Sequence, residues 1–303
     1  MSASKLYGLQ KPDRMADVNL ENADPKELAE NAYSVWRQAT KDIGNENALY
    51  QEACRITKPI ADRAVDIFKE KTPFQIDGSI ILPGLFFSSI CNQSSRREII
   101  CNIDMNMGDL AYRLPADKTF INYGKAGIHM GEYADGTLVN YGETVGMGNH
   151  SKGTVVNYGK VSVGMGLCAE GLVINCGKTG MSLGQSAKGP VINYGKTGDW
   201  MGSCAKSIIA NCGEAGEGMS AGDNAIMMAI KSPKEIGIVS KAKLVLEVGD
   251  CEKIPEIAEY FDGLKAILDE GKEDYGALSK LPNGRKVTED VEQILKERGY
   301  LRQ

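Results

Sequence analysis

An Asn-Tyr-Gly or Asn-Cys-Gly triplet returns six times in the middle of the chain, with its asparagine at 122, 140, 157, 175, 193 and 211. The spacings are 18, 17, 18, 18 and 18 residues, and a fixed period has to be explained before any helix or strand is assigned. A second column keeps the same period of 17 or 18 residues: Met or Leu at 130, 147, 165, 183, 201 and 219, followed by glycine except after the last, where Ser220 stands. A third runs Gly136, Gly153, Gly171 and Gly189, then Ser207 and Ala225. One unit therefore reads G-x-V-[IV]-N-[YC]-G-K-x-G-x-x-M-G-x-x-A-K. Of the 35 glycines in the chain, 23 lie between Thr119 and Met228, a stretch with one proline, Pro190.

A period of 18 is too short for the two-helix repeats, and glycines every few residues cost a helix roughly 1 kcal/mol each relative to alanine. Short β-branched segments separated by glycine corners suit a mainly β fold, a parallel β-solenoid in which each coil hydrogen-bonds to the next about 4.8 Å away. The pattern predicts about six coils of 18 residues with degenerate ends. A strand period of two turns Phe120, Leu138, Val155, Val173, Val191 and Ile209 inward, and with them Asn122, Asn140, Asn157, Asn175, Asn193 and Asn211. Stacked amides then bond from coil to coil as a structural ladder. The opposite set faces out: Ile121, Val139, Val156, Ile174 and Ile192, beside Tyr123, Tyr141, Tyr158, Cys176, Tyr194 and Cys212. Such an apolar, aromatic face marks an interface, whether with the chain's own helices, another copy or a different protein. The reversed register, with the tyrosines inside, stays open, because a slip of one residue exchanges the two faces.

The flanks read differently. Asp24, Pro25 and Glu27 supply an N-cap, a first-turn proline and a capping-box glutamate for a helix over 25–43. A second helical pattern over 46–70 is interrupted by Pro59. Residues 78–114 read as irregular or β structure, with a degenerate coil at Met107-Gly108. After the repeats, 236–248 reads as one or two strands, and helices near 255–270 and 289–298 end at Gly271 and Gly299. The expected organisation is a helical arm (1–76), a cap with a degenerate coil (77–118), the solenoid (119–228), and strands with C-terminal helices (229–303).

Thirty-five basic against 40 acidic residues leave a net charge of -5, which provides no broad basic surface for nucleic acid. The longest apolar stretch, Ser79 to Ile90, is broken by Pro83 and Gly84 and is too short to cross a membrane. Eight cysteines without a C-x-x-C pair, and a start (MSASKLYGLQKPDRMADV) without an apolar core, read as a cytoplasmic protein with free thiols. His129 and His150, the two histidines, fall in different columns, so neither a metal nor a cofactor is expected. Asp135 and Glu170 share a column with Lys152, Lys188 and Lys206; Glu143 and Glu214 share another with Lys125, Lys160, Lys178 and Lys196. Mixed columns of this kind read as solvated ladders. Asp199 beside Trp200 reads as a corner next to a packing aromatic.

The unit GPVINYGKTGDWMGSCAK (189–206) resembles the GXGXG repeat, the right-handed β-helix that ends the glutamate synthase large subunit and also forms one of the subunits of formylmethanofuran dehydrogenase. The matching positions are Gly189, Gly195, Gly198, Met201 and Gly202, with echoes at Gly124-Gly127-Gly131, Gly177-Gly180-Gly184 and Gly213-Gly216. This chain differs in placing asparagine where that family has a β-branched residue, and in a slightly shorter period. The resemblance implies a right-handed scaffold that carries no catalytic residues. Residues and resemblance together point to a non-catalytic scaffold or assembly subunit that meets a protein partner or a second copy through its lateral apolar and tyrosine face. The alternatives are a subunit of a glutamate-synthase-like or formyl-transfer complex, a carbohydrate-active β-helix enzyme, and a module binding a ligand on its tyrosine stack.

Overall fold

The computed structural model describes residues 24–72, 82–237 and 242–302. The N-terminal segment read for an export signal lies outside these residues, as do 77–81 of the expected cap and 238–241 of the expected strands. Among the described residues four helices come first: α1 (Pro25–Ala39), α2 (Glu46–Thr57), α3 (Ala61–Ala64) and, after a 3-10 turn over Val65–Lys69, α4 (Leu82–Gln93). The Asp24 carboxylate caps α1 by accepting from the Lys26 and Glu27 amides. The Thr40 hydroxyl donates to the Trp36 carbonyl where α1 ends, four residues short of the expected stop. Helix α2 breaks before Pro59, where a missing amide and a ring clash forbid the i to i−4 bond.

Helix α4 corrects the expectation of irregular or β structure over this stretch. Pro83 sits in its first turn, where a proline costs no helical hydrogen bond. Leu85, Phe86, Phe87, Ile90 and Cys91 are fully buried around it, so no polar face betrays a helix in the sequence. Its position is fixed by contact with the first coil: Phe68 meets Phe87 and Phe120 edge-on, and Ser88 Oγ donates to the Asp109 carbonyl at 2.7 Å. The four helices thus plug the end of the solenoid, where an open strand edge would template association.

Among the described residues nine parallel strands stack in chain order as the main sheet: Glu98–Cys101, Thr119–Asn122, Thr137–Asn140, Val155–Asn157, Val173–Asn175, Val191–Asn193, Ile208–Asn211, Ile226–Ala229 and Leu244–Leu246. Nine strands make eight turns, so the degenerate ends extend the six-repeat solenoid on both sides. The register aligns Asn122, Asn140, Asn157, Asn175, Asn193 and Asn211 across successive coils. A second, three-stranded sheet (Glu143–Thr144, Lys160–Val163, Lys178–Met181) forms another side of the rod. The core between the sides holds Phe120, Leu138, Val155, Val173, Val191 and Ile209 together with the methionine column.

Past the last strand, α5 (Val248–Cys251) turns the chain back, α6 (Pro255–Glu273) returns along the rod, and α7 (Gly284–Glu297) follows it. Helix α6 runs two residues beyond Gly271, which is therefore no stop but a contact: a Cβ there would lie 2.3 Å from Leu278 Cδ2. Ile257, Phe261, Leu264 and Leu268 of α6 and Val287, Val291 and Leu295 of α7 share one buried cluster with the outward-facing Ile121, Val139, Val156, Ile174 and Ile192. Among the described residues no helix is long and apolar enough to cross a membrane.

Candidate functional site

The six asparagines are fully buried inside the rod. Each Nδ2 donates to the Oδ1 of the next asparagine at 2.8 Å, from Asn122 through to Asn211. The second proton of each amide goes to the carbonyl two residues on, for example Asn157 to Gly159 at 3.2 Å. That carbonyl fixes which way the amide faces, since a flipped amide would set oxygen against oxygen. The ladder is therefore polar, with every donor pointing towards the C-terminal coils. It ends on the Lys231 carbonyl, 2.8 Å from Asn211 Nδ2, where Ala229 replaces the next asparagine. At the other end Cys101 stands in register with Asn122, and Asn122 Oδ1 is left without a partner. Burial pushes the Cys101 thiol up to about 12.

The tyrosine and cysteine column does face outward, and the chain's own α6 occupies most of it. Tyr141 donates to the Gly271 carbonyl at 2.8 Å, Tyr158 to Leu268 at 2.6 Å and Tyr194 to Phe261 at 2.7 Å. From 261 to 271 the helix rises about 15 Å, and three coil steps from Tyr141 to Tyr194 span about 14 Å. Helix and solenoid are commensurate when they run antiparallel, so one hydroxyl after another meets a carbonyl. The smaller Cys176 and Cys212 pack under the same helices, half-buried. Tyr123 alone in the column projects past the end of α6; it is 46% exposed and stacks on Tyr141 with centroids 4.8 Å apart. The neighbouring column Thr119, Thr137, Thr154 turns apolar at Leu172, Pro190 and Ile208. Leu172 and Ile208 are buried in the cluster that α7 shares, and Gly284 at its start abuts Leu172 and Pro190.

Burial raises the phenols of this column, Tyr141 to about 12 and Tyr158 and Tyr194 further still. A group whose folded pKa lies above its unfolded value of about 10 stabilises fully below that pH and loses its contribution as pH rises through the folded value. Alkali between pH 10 and about 12 is therefore expected to release α6 from the rod. Phenolate absorbance and hydrogen exchange at Phe261–Gly271 should change together; phenol ionisation with α6 still protected would contradict this.

Beside the column runs a groove of about 660 Å³, with Tyr141, Tyr158 and Tyr194 along one wall and Lys160, Lys178 and Lys196 along the other. The charged columns pair coil to coil as solvated ladders: Lys160 with Glu143 at 3.7 Å, Lys188 with Glu170 at 2.7 Å and Lys196 with Glu214 at 2.7 Å. Asp199 is a corner residue whose Oδ1 accepts from the Glu217 amide at 2.8 Å. Trp200 next to it is not packed away: it is 54% exposed and its φ is 62°, a left-handed conformation that costs a bulky side chain about 1 kcal/mol or more. It stands one residue past Asp199, the register position that follows an apolar row the sequence reading missed, made by Val145, Val163 and Met181, each 39–47% exposed and lying on or directly after the strands of the three-stranded sheet. Backbone pairing of Val145 with Val163 and of Val163 with Met181 puts the three side by side. Their fixed spacing in the repeat is the signal that could have found them.

His129 and His150 lie in different columns. His150 stacks on Tyr133 at 5.1 Å, and His129 faces Asp109 and Glu132. Comparison with known protein families, with curated proteins and with solved structures finds no match.

Proposed function

We propose that this chain is a non-catalytic scaffold or assembly subunit, and that the face it offers to a protein partner or a second copy is the three-stranded sheet. The observation that carries this reading is the exposed apolar row Val145, Val163 and Met181, with the exposed Trp200 at the corner of the next coil. Contiguous exposed apolar surface on a rigid framework is the ordinary mark of a protein interface, and an exposed tryptophan is the residue type that most often anchors one. The tyrosine face contributes differently: its hydroxyls hold α6, which leaves Tyr123 and the adjoining lysine-lined groove as its open part. The resemblance to the GXGXG repeat, whose β-helix positions other domains and subunits, supports the same role. Eight unpaired thiols support a reducing, cytoplasmic setting.

Val163→Lys combined with Trp200→Ser should disrupt the assembly formed by the purified chain or with its partner, and shift the mass seen by sedimentation and native mass spectrometry. Both residues are largely exposed, so the melting temperature should stay close to that of the unsubstituted chain. An unchanged assembly state and unchanged partner recovery would overturn the reading.

A further inference from the structure

At the N-terminal end of the rod, Asp109 and His129 sit one above the other on successive coils, each one residue ahead of the methionine column (Leu110, Met130). Glu132 lies three residues beyond His129. His129 Nδ1 is 3.5 Å from Asp109 Oδ1 and 3.5 Å from Glu132 Oε2, and one ligand atom from each of the three lies within 4.8 Å of the others. The Asp109 side chain is 1% exposed, and neither of its oxygens has a hydrogen-bond partner. A buried carboxylate without a donor is among the costliest groups a protein can hold, and one is retained where a proton or a cation satisfies it. Glu46 adds a third negative charge to this corner.

Two features choose the cation. Ligand atoms about 2.1 Å from a tetrahedral zinc stand about 3.4 Å apart, close to the two separations found here and longer than a direct hydrogen bond. An imidazole beside two carboxylates suits zinc and its first-row neighbours, whereas calcium and magnesium prefer oxygen ligands throughout. We propose that Asp109, His129 and Glu132 bind a zinc-type divalent cation through three protein ligands, which join the degenerate first coil to the first full repeat. The His129 side chain is 44% exposed and that of Glu132 15%, so the ion enters from the solvent side and water completes its coordination. Burial, with the neighbouring carboxylates, pushes Asp109 up to about 7 despite the opposing pull of His129; a bound cation reverses that. The inference is independent of the scaffold reading, because the site lies on a different column from the exposed apolar row.

The test uses the full chain, stripped with chelator, and titration with Zn²⁺ and Co²⁺. About one ion per chain should bind, with a cobalt spectrum free of thiolate charge transfer, and the melting temperature should rise. His129→Ala removes a largely exposed ligand with little risk to folding, and should weaken binding at least about 100-fold, more than the loss of an outer-shell partner costs. Asp109→Asn should abolish the metal-dependent rise in melting temperature. No saturable binding, binding unchanged in His129→Ala, or a thiolate spectrum pointing to cysteines such as Cys204 would each overturn the proposal.

Discussion

Asn157→Asp should destabilise the chain by about 3–5 kcal/mol at pH 7, the cost of a buried charge without compensation. The new carboxylate still accepts from Asn140 Nδ2, but it has no proton for Asn175 Oδ1, or for the Gly159 and Lys178 carbonyls that Asn157 now serves. Oxygen would confront oxygen in the middle of the rod. Burial and these acceptors raise the folded-state pKa of the new acid above its unfolded value of about 3.9. The penalty is then smallest at and below that pH and grows as pH rises through the folded value. Urea midpoints at pH 4 and pH 7 should show a much larger deficit at pH 7. Asn157→Ala, which strands Asn175 Oδ1 but buries no charge, should cost about 1–3 kcal/mol at both. An equal deficit for the aspartate variant at the two pH values would show that the ladder is not polar in the manner described.

Gly159→Ala is expected to cost about 3 kcal/mol or more, as large for one methyl group as overpacking usually gives. A Cβ at 159 would lie 2.1 Å from the Gly142 carbonyl oxygen and 2.6 Å from Tyr141 backbone atoms. Backbone of the coil above cannot move away without breaking the register of its neighbours. Gly164→Ala is the control. Its φ is +65°, yet a Cβ there meets nothing within 4 Å, so the cost is the left-handed conformation alone, about 1 kcal/mol. Chemical denaturation of the two variants separates close approach from backbone conformation. Similar losses at both positions would mean that coil spacing is not what demands glycine at 159.

These effects rest on features that a periodic sequence displays openly. Six asparagines at a near-constant spacing, with Phe120, Leu138, Val155, Val173, Val191 and Ile209 two places earlier, specify the stacking, while the choice between the inward register and its one-residue slip is made by the structure, where all six amides are buried. Helix α4 was not legible for the opposite reason. LPGLFFSSICNQ is apolar on every side and starts with Leu-Pro-Gly, so it carries neither a helical stripe nor an uninterrupted run. The Asp109 and His129 pair was hidden by irregular spacing: Leu110 and Met130 are 20 residues apart, so the degenerate coil falls out of step with the 18-residue columns. The exposed row of Val145, Val163 and Met181 was readable but masked by commoner tyrosine and lysine columns beside it.

The sequence by itself determined that this chain stacks, how far each coil advances and which side chains lie above one another from coil to coil. All of these follow from interactions between one repeat and the next, which the period encodes directly. Only the tertiary structure decided which lateral face is open. That depends on α6, more than 40 residues beyond the last repeated asparagine, and on the match between about 15 Å of helix and about 14 Å of stacked coils, which lets Tyr141, Tyr158 and Tyr194 each meet a carbonyl. Neither segment announces the other, since a match of lengths along an axis exists only once both are folded and laid side by side.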